Sequence, residues 1–333
     1  MASEQTRALG DADLPAVERL LRSQWPDIDW PRRFRRQWHD NPWCTPAVAR
    51  GFVHEHAGAL LGFFGSIPVR YQVDGRPGLA CVATALCVHG GSRGRGIGRA
   101  LVAAFDAQDA ELAINATPNA ATAAMFEQRG YTRVDPASGR HLLAHARQPY
   151  GAVRKAWRAR GRGFLRTLAR ELRRGRPGGA PQLACAVLPA ATGELDALWQ
   201  AQREAHATTL WRSGAMLQWL LFAEPRNAVI ACRDASGTLR GYAAFRAERG
   251  ELRQIDVFPA HDDEVLAALG LAGAGHAASL GLGVVRLLSV PAAAAATLDA
   301  YGFEPVADDL GLLVRGSASG APWFTRIDGD RWL

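Results

Sequence analysis

The second half of this 333-residue chain repeats the first in order, and that duplication restricts the fold more than any composition figure does. The segment GALLGFFGS at 58–66 returns as GTLRGYAAF at 237–245, and ATPNAATAAMFEQRGY at 116–131 returns as SVPAAAAATLDAYGF at 289–303. A chain of this length favours two domains, each able to bury its own core. One supersecondary plan built twice is therefore expected, with the C-terminal copy diverged. The expected organisation is a first domain over 1–146, a basic linker or helical arm over 147–182, and a second copy over 183–333.

Within the first copy the punctuation is clear. Asp13 and Pro15 open a helix whose Leu14, Val17, Leu20 and Leu21 share one face, and a short helix near 30–39 stops at Asn41-Pro42. Strands turning at Ala57-Gly58 and again at Asp74-Gly75 read as hairpins. Leu79 to Val88 is almost continuously apolar, as a strand buried on both faces would be. A helix follows near Gly98 with Ile97, Leu101 and Phe105 on one side, then a strand at Leu112–Ala116, a helix at Asn119–Arg129 and a last strand after Gly130-Tyr131.

Charge is unevenly placed. The net +7 arises from residues 147–176, whose arginines and Lys155 face only Glu171 and leave the rest of the chain slightly acidic. Val153, Trp157, Phe164, Leu168 and Leu172 form a rough apolar stripe there, so the arm is expected either to be a packed linker or to touch an anionic membrane surface weakly. No nucleic-acid partner is expected, because no fold for one is recognisable. Val265 to Val285 is long enough to span a bilayer but consists largely of Ala and Gly, so a buried helix followed by a strand is expected. Five cysteines without a C-x-x-C pair argue against a disulfide framework and against a metal site, and no basic region with an apolar run follows Met1. A cytoplasmic setting is the simplest reading.

The sharpest chemical signal is Arg93-Gly94-Arg95-Gly96-Ile97-Gly98-Arg99, between the buried strand and a helix. Glycines there let backbone N–H groups converge where the helix dipole is positive, which suits a pyrophosphate. A Walker loop is excluded because Lys155 is the only lysine, and a dinucleotide fingerprint fails because residue 99 is arginine and the 112–116 strand ends without an acid.

These residues resemble the GNAT acyltransferase superfamily: LCVHGGSRGRGIGRAL at 86–101 is similar to its R-x-x-G-x-G motif, and NAATAAMFEQRGY at 119–131 to its N-x-x-A-x-x-x-[YF]-x-x-x-G-[FY] motif. The resemblance implies an α+β protein of two GNAT-like domains, each a mixed, mostly antiparallel twisted sheet flanked by helices, the second copy degenerate. It further implies acetyl-CoA as acyl donor and a small-molecule or sugar amine as acceptor. Leu86, Cys87 and Val88 would lie on the strand that splays open, with the Val88 N–H at the thioester carbonyl. Arg93 to Arg99 would cradle the phosphates, and Asn119 and Phe126 would line the pantetheine arm. The W-x-x-N-P at 38–42 and PWFTRIDGD at 322–330 are similar to tandem members linked with surface polysaccharide synthesis.

Departures from the family pattern matter as much. Phe126 stands where many members carry a tyrosine able to protonate the leaving thiolate, and Cys81 to Val88 holds no carboxylate to act as base. His54, His56, His89, Thr84, and water ordered by Asn115 and Thr117 are the remaining candidates. Cys87 as a nucleophile lacks a paired base. In the second copy the loop position reads Pro259-Ala260-His261-Asp262-Asp263-Glu264, whose acids would repel a pyrophosphate. That copy is expected to complete an acceptor cleft or support the first domain. A non-catalytic CoA-binding sensor, and a long-chain acyl or aminoacyl transferase, remain as alternatives.

Overall fold

The computed structural model describes residues 4–116, 118–134, 138–143, 183–306, 311–316 and 322–329. The basic arm at 147–176 and Thr117 lie outside the described residues. In chain order the strands are β1 (Glu4–Ala8), β2 (Gly51–His56), β3 (Ala59–Val73), β4 (Arg76–Val88), β5 (Leu112–Asn115), β6 (Thr132–Val134), β7 (Ser138–Leu143) and β8 (Ala184–Leu188). They continue as β9 (Thr209–Leu210), β10 (Asn227–Arg233), β11 (Leu239–Glu248), β12 (Glu251–Phe258), β13 (Val284–Val290), β14 (Glu304–Val306) and β15 (Leu312–Gly316). The α-helices are α1 (Leu14–Arg22), α2 (Trp30–Phe34), α3 (Ile97–Asp106), α4 (Ala120–Glu127), α5 (Gly193–Gln202), α6 (Gly214–Leu217), α7 (Asp263–Ser279) and α8 (Ala292–Ala300).

The chain forms two compact units, one of Met1–Asp135, His206–Trp211 and Leu310–Leu333, the other of Pro136–Ala205 and Arg212–Asp309. The first holds a sheet ordered β1-β2-β3-β4-β5-β15-β6, with β9 pairing β3; the second holds β8-β10-β11-β12-β13-β7-β14. The two orders match strand for strand. In each sheet one neighbouring pair is parallel, β4 with β5 and β12 with β13, and the rest are antiparallel. This is the mixed, mostly antiparallel, helix-flanked architecture expected twice over. Each sheet also takes one strand from the other half of the sequence: β15 pairs β5 in the first, and β7 pairs β13 in the second.

Local sequence accounts for most of the elements. Two-residue turns at Ala57-Gly58, Asp74-Gly75 and Arg249-Gly250 all have positive φ at both positions, the geometry that matches strand twist in tight hairpins. The shared glycine of the repeat has a packing reason in both units. A Cβ on Gly62 would lie 2.7 Å from Ile97 Cγ2 of α3, and one on Gly241 would lie 2.5 Å from Val265 Cγ1 of α7. The Ala/Gly-rich run becomes α7 followed by β13, as expected. Gly273 of α7 seats the Phe245 ring, and no described helix is long and apolar enough to cross a membrane.

Apolar residues cover both faces of the first sheet. Val17, Leu21, Trp30, Phe34 and Trp38 of the α1 and α2 region pack on Phe63 and Cys87; Ile97, Leu101, Phe105 and Phe126 pack on Phe64, Cys81 and Ala83 from the other side. Trp30, Phe34 and Trp38 are therefore core residues. Phe34 stacks on Trp38 with ring centroids 4.8 Å apart, and Trp38 Nε1 donates to the Ser66 carbonyl at 2.9 Å. Residues from PWFTRIDGD join the same unit: Phe324 lies beside Tyr71, whose hydroxyl donates to the buried Asp328.

Candidate functional site

The first unit has a cleft where β4 parts from β5. Their parallel pairing covers Ala80↔Leu112, Cys81↔Ala113 and Val82↔Ile114, so the ladder between these strands ends at Val82 while β4 runs on to Val88. Opposite β3 the register jumps between Phe63↔Cys87 and Gly65↔Thr84, leaving Ala85 and Leu86 against Phe64. This is a β-bulge, and Ala85 adopts φ +52, a conformation non-glycine residues rarely take. The extra residue inverts the strand's facing pattern. Cys81 and Ala83 contact the α3 side before the bulge, whereas Leu86 and Val88 do so after it and Cys87 turns to the α1 side.

The opening has a volume of about 340 Å³. Ala83 to Leu86 and Phe64 form one wall, Asn115 with Pro118, Asn119 and Thr122 the second, and Trp25, Ile28, Trp30 and Arg33 the rim. Arg33 is the one charged side chain among the described lining residues. Trp25 and Trp30 set their rings 5.9 Å apart, and Trp25 is the more exposed. Nothing in the local sequence assigned Trp25, Trp30 or Arg33 to a cleft, and a bulge at Ala85 had no local signal.

The glycine loop leads from the end of β4 into α3. Gly94 and Gly96 take φ +81 and +85, and no atom lies within 4 Å of where a Cβ would sit on Gly94, Gly96 or Gly98. The N–H groups of Gly96, Ile97, Gly98 and Arg99 find no backbone acceptor among the described residues. Arg93 is anchored through Nε to the Val88 carbonyl at 3.4 Å and through Nη2 to Gln24 at 2.7 Å, while Arg95 reaches Glu4 at 3.5 Å. Arg99 is exposed. Open space, unused donors and three arginines are what a pyrophosphate needs.

The other sequence candidates are placed as follows. Thr84 is buried at the cleft wall, and Asn115 is buried at the end of β5, paired in register with Leu313. Asn119 lines the cleft while its side chain caps α4 by accepting from the Thr122 N–H at 2.9 Å. Phe126 is fully buried, edge-on to Tyr131 at 4.7 Å. Tyr131 donates to Asp106 at 2.7 Å, and burial together with that carboxylate pushes its hydroxyl above the usual tyrosine range. Burial raises the Cys87 thiol to about 11, which leaves it protonated at neutral pH. None of the three candidate histidines lines the cleft. His54 contacts Thr6 Oγ1 at 2.8 Å and Glu4 Oε1 at 3.2 Å; His56 ends β2, and His89 is exposed just before the loop.

Residues 48–133 match the family model described as Acetyltransferase (GNAT) domain. No curated protein matches the sequence. Among solved structures, a GCN5-related N-acetyltransferase from Anabaena variabilis superposes with TM-score 0.64 at 14% identity, over 94% of this chain and 73% of that one. One from Kribbella flavida gives 0.63 at 15%, over 96% and 72%. A probable N-acyltransferase from Enterococcus faecalis gives 0.62 at 13%, over 95% and 72%. Residues 48–133 thus carry the match to a GNAT acetyltransferase domain, within a chain that shares its fold with these longer proteins over nearly its whole length.

Proposed function

We propose that the first unit is an acetyl-CoA-dependent N-acyltransferase acting on a primary amine, with an amino sugar or another cell-surface precursor as the leading acceptor and the cytoplasm as the setting. The observation that carries this reading is the juxtaposition of an open glycine loop with a cleft between splayed strands, since a diphosphate and an extended thioester arm need those two features end to end. The bound donor would supply the activated thioester. Gly94, Gly96 and Gly98 leave room for its phosphates, and Arg93, Arg95 and Arg99 offset their charge. The Val88 N–H would donate to the thioester carbonyl as negative charge develops there.

Proton handling follows from what lines the cleft. With no carboxylate or histidine among the described lining residues, the acceptor amine would react as the free base, and its lost proton would pass to water near Asn115 and Thr84. Phe126 has no proton for the leaving thiolate, so that proton too would come from solvent. Trp25 offers a flat apolar face at the rim, backed by the buried Trp30, which suits the C–H surface of a sugar.

The same lack of acid and base groups favours a second reading, a CoA-binding sensor without turnover. Incubating the protein with acetyl-CoA and a panel of amines, amino sugars included, and following free thiol release separates the two. Amine-dependent release supports the transferase; tight CoA binding with release no faster than without amine supports the sensor.

A further inference from the structure

In the second unit β8 pairs with β10 in an unbroken antiparallel register that sets Cys185 directly opposite Cys232. Directly opposed residues on antiparallel strands have Cα atoms about 4.5–5.5 Å apart, inside the 4.4–6.8 Å range that a disulfide spans. The two side chains project from the same face of the sheet. Cys185 is half-buried with its thiol 4.0 Å from the Leu183 carbonyl, whereas Cys232 is fully buried and donates to the Gly241 carbonyl at 3.5 Å. No other neighbouring strand pair brings two cysteines into register among the described residues.

We propose that Cys185 and Cys232 are a peroxide-sensitive thiol pair that closes a cross-strand disulfide and fastens the edge strand β8 to the second sheet. Chemical contrast among the five cysteines supports it. Burial raises the thiols of Cys44, Cys81 and Cys87 above the ordinary cysteine value, the latter two to about 11, and the facing Cys185 together with burial raises Cys232. Cys185 is the more exposed of the pair and the one thiol shifted down, by the Cys232 thiol opposite it. Cys185 is therefore the attacking sulfur and Cys232 the resolving one.

The reaction balances with hydrogen peroxide as the oxidant. The Cys185 thiolate attacks one peroxide oxygen, the O–O bond breaks, and hydroxide leaves to become water by taking the proton lost from Cys185; the product is a sulfenic acid. The Cys232 sulfur then attacks the sulfenyl sulfur, the S–O bond breaks, and the departing hydroxyl takes the Cys232 proton as a second water. Two thiols are oxidised by two electrons and one peroxide is reduced. β8 is only Ala184–Leu188, lies at the sheet edge and exposes Val187, so a covalent tie has a strand to hold.

The test uses the full-length protein treated with hydrogen peroxide, then denatured and probed with a thiol reagent. The expected result is loss of two of the five thiols within one chain, a cross-linked peptide joining Cys185 to the tryptic segment ending at Arg233, and recovery with dithiothreitol. C185S and C232S should each abolish the disulfide within the chain, and amide exchange across Ala184–Leu188 in the unsubstituted protein should slow at least tenfold on oxidation. Thiol loss at other cysteines, cross-links between chains, or Cys185 advancing to sulfinic acid while Cys232 stays reduced would overturn the proposal. Peptide mapping of the unsubstituted protein decides this even where a serine variant fails to fold.

Discussion

The two units share a strand order, a parallel pair at the same place and a bulge beside it, yet among the described residues the split is open in the first and nearly filled in the second. In the second unit β12 likewise leaves β13 after Arg253↔Arg286, and its register against β11 likewise slips between Ala244↔Asp256 and Phe245↔Gln254. The space there has shrunk to about 10 Å³, against about 340 Å³ in the first unit, because Leu266, Leu269, Leu287 and Leu298 fill it. The helix N-termini differ as well. Gly96 caps α3 with no side chain, whereas the Asp262 carboxylate accepts from the Val265 N–H at 3.1 Å and occupies the positive end of α7 itself. One fold thus leaves an open cleft or a filled core according to a few side chains at the split.

The largest expected effect tests the sealing. Arg212 precedes the N-cap of α6 as Ile28 precedes that of α2; Ile28 lines the open cleft, but Arg212 is fully buried and bonds Asp256 at 2.9 Å. Tyr242 adds a hydrogen bond to the same carboxylate at 2.6 Å. Arg212→Met should cost about 3–5 kcal/mol in chemical denaturation, since it strands a buried charge. A loss below about 1 kcal/mol would mean that the pair does not hold the second unit closed.

CoA binding sharpens the contrast next. Calorimetry should find one CoA per chain, and Gly96→Glu should weaken it at least 100-fold by placing bulk and negative charge among the free N–H groups. Asp262→Ala should leave CoA affinity unchanged. Two molecules per chain, or an indifferent Gly96 variant, would break the distinction between the loops.

Paired glycine substitutions give a smaller effect. Overpacking typically costs about 1–3 kcal/mol, and Gly241→Ala should lie near the top of that range because its Cβ would also meet the Phe258 carbonyl at 2.9 Å. Gly62→Ala should cost less, because the atoms nearest its Cβ are side-chain atoms of Ile97 and Leu101, and the Cys87 carbonyl oxygen is 3.5 Å away. Tm shifts in the reverse order would show that the two packings are not equivalent.

Histidine replacement should change least. If the acceptor reacts as a free amine, turnover rises with pH up to the amine's own pKa, because the ammonium form has no lone pair to attack with. Single replacement of His54, His56 or His89 should then lower the rate by less than about tenfold, while loss of a true base costs about 100-fold or more. A limb near pH 6.5 that vanishes in one variant would identify that histidine as the base.

Much of this was legible because it is local. Hairpins at Ala57-Gly58 and Asp74-Gly75, the glycine loop, the α4 cap at Asn119 and the repeat itself depend on φ preferences, capping and periodicity within a dozen residues. The histidine candidates show the limit: their types suit a base, but β2 carries His54 to Thr6 and Glu4 rather than to the cleft.

The sequence by itself determined the tight hairpin turns, the helices of the first copy and the repetition of that order in the second half. Tertiary structure alone decided that β15 and β7 trade halves of the chain, that one extra residue at Ala85 turns Leu86 and Val88 toward α3, that leucines close the second split, and that Cys185 meets Cys232. The reason is physical. Turns and caps are set by sterics between neighbours in the chain, whereas register, strand exchange and cavity volume depend on pairing and packing between residues tens to hundreds of positions apart, which leave no local pattern.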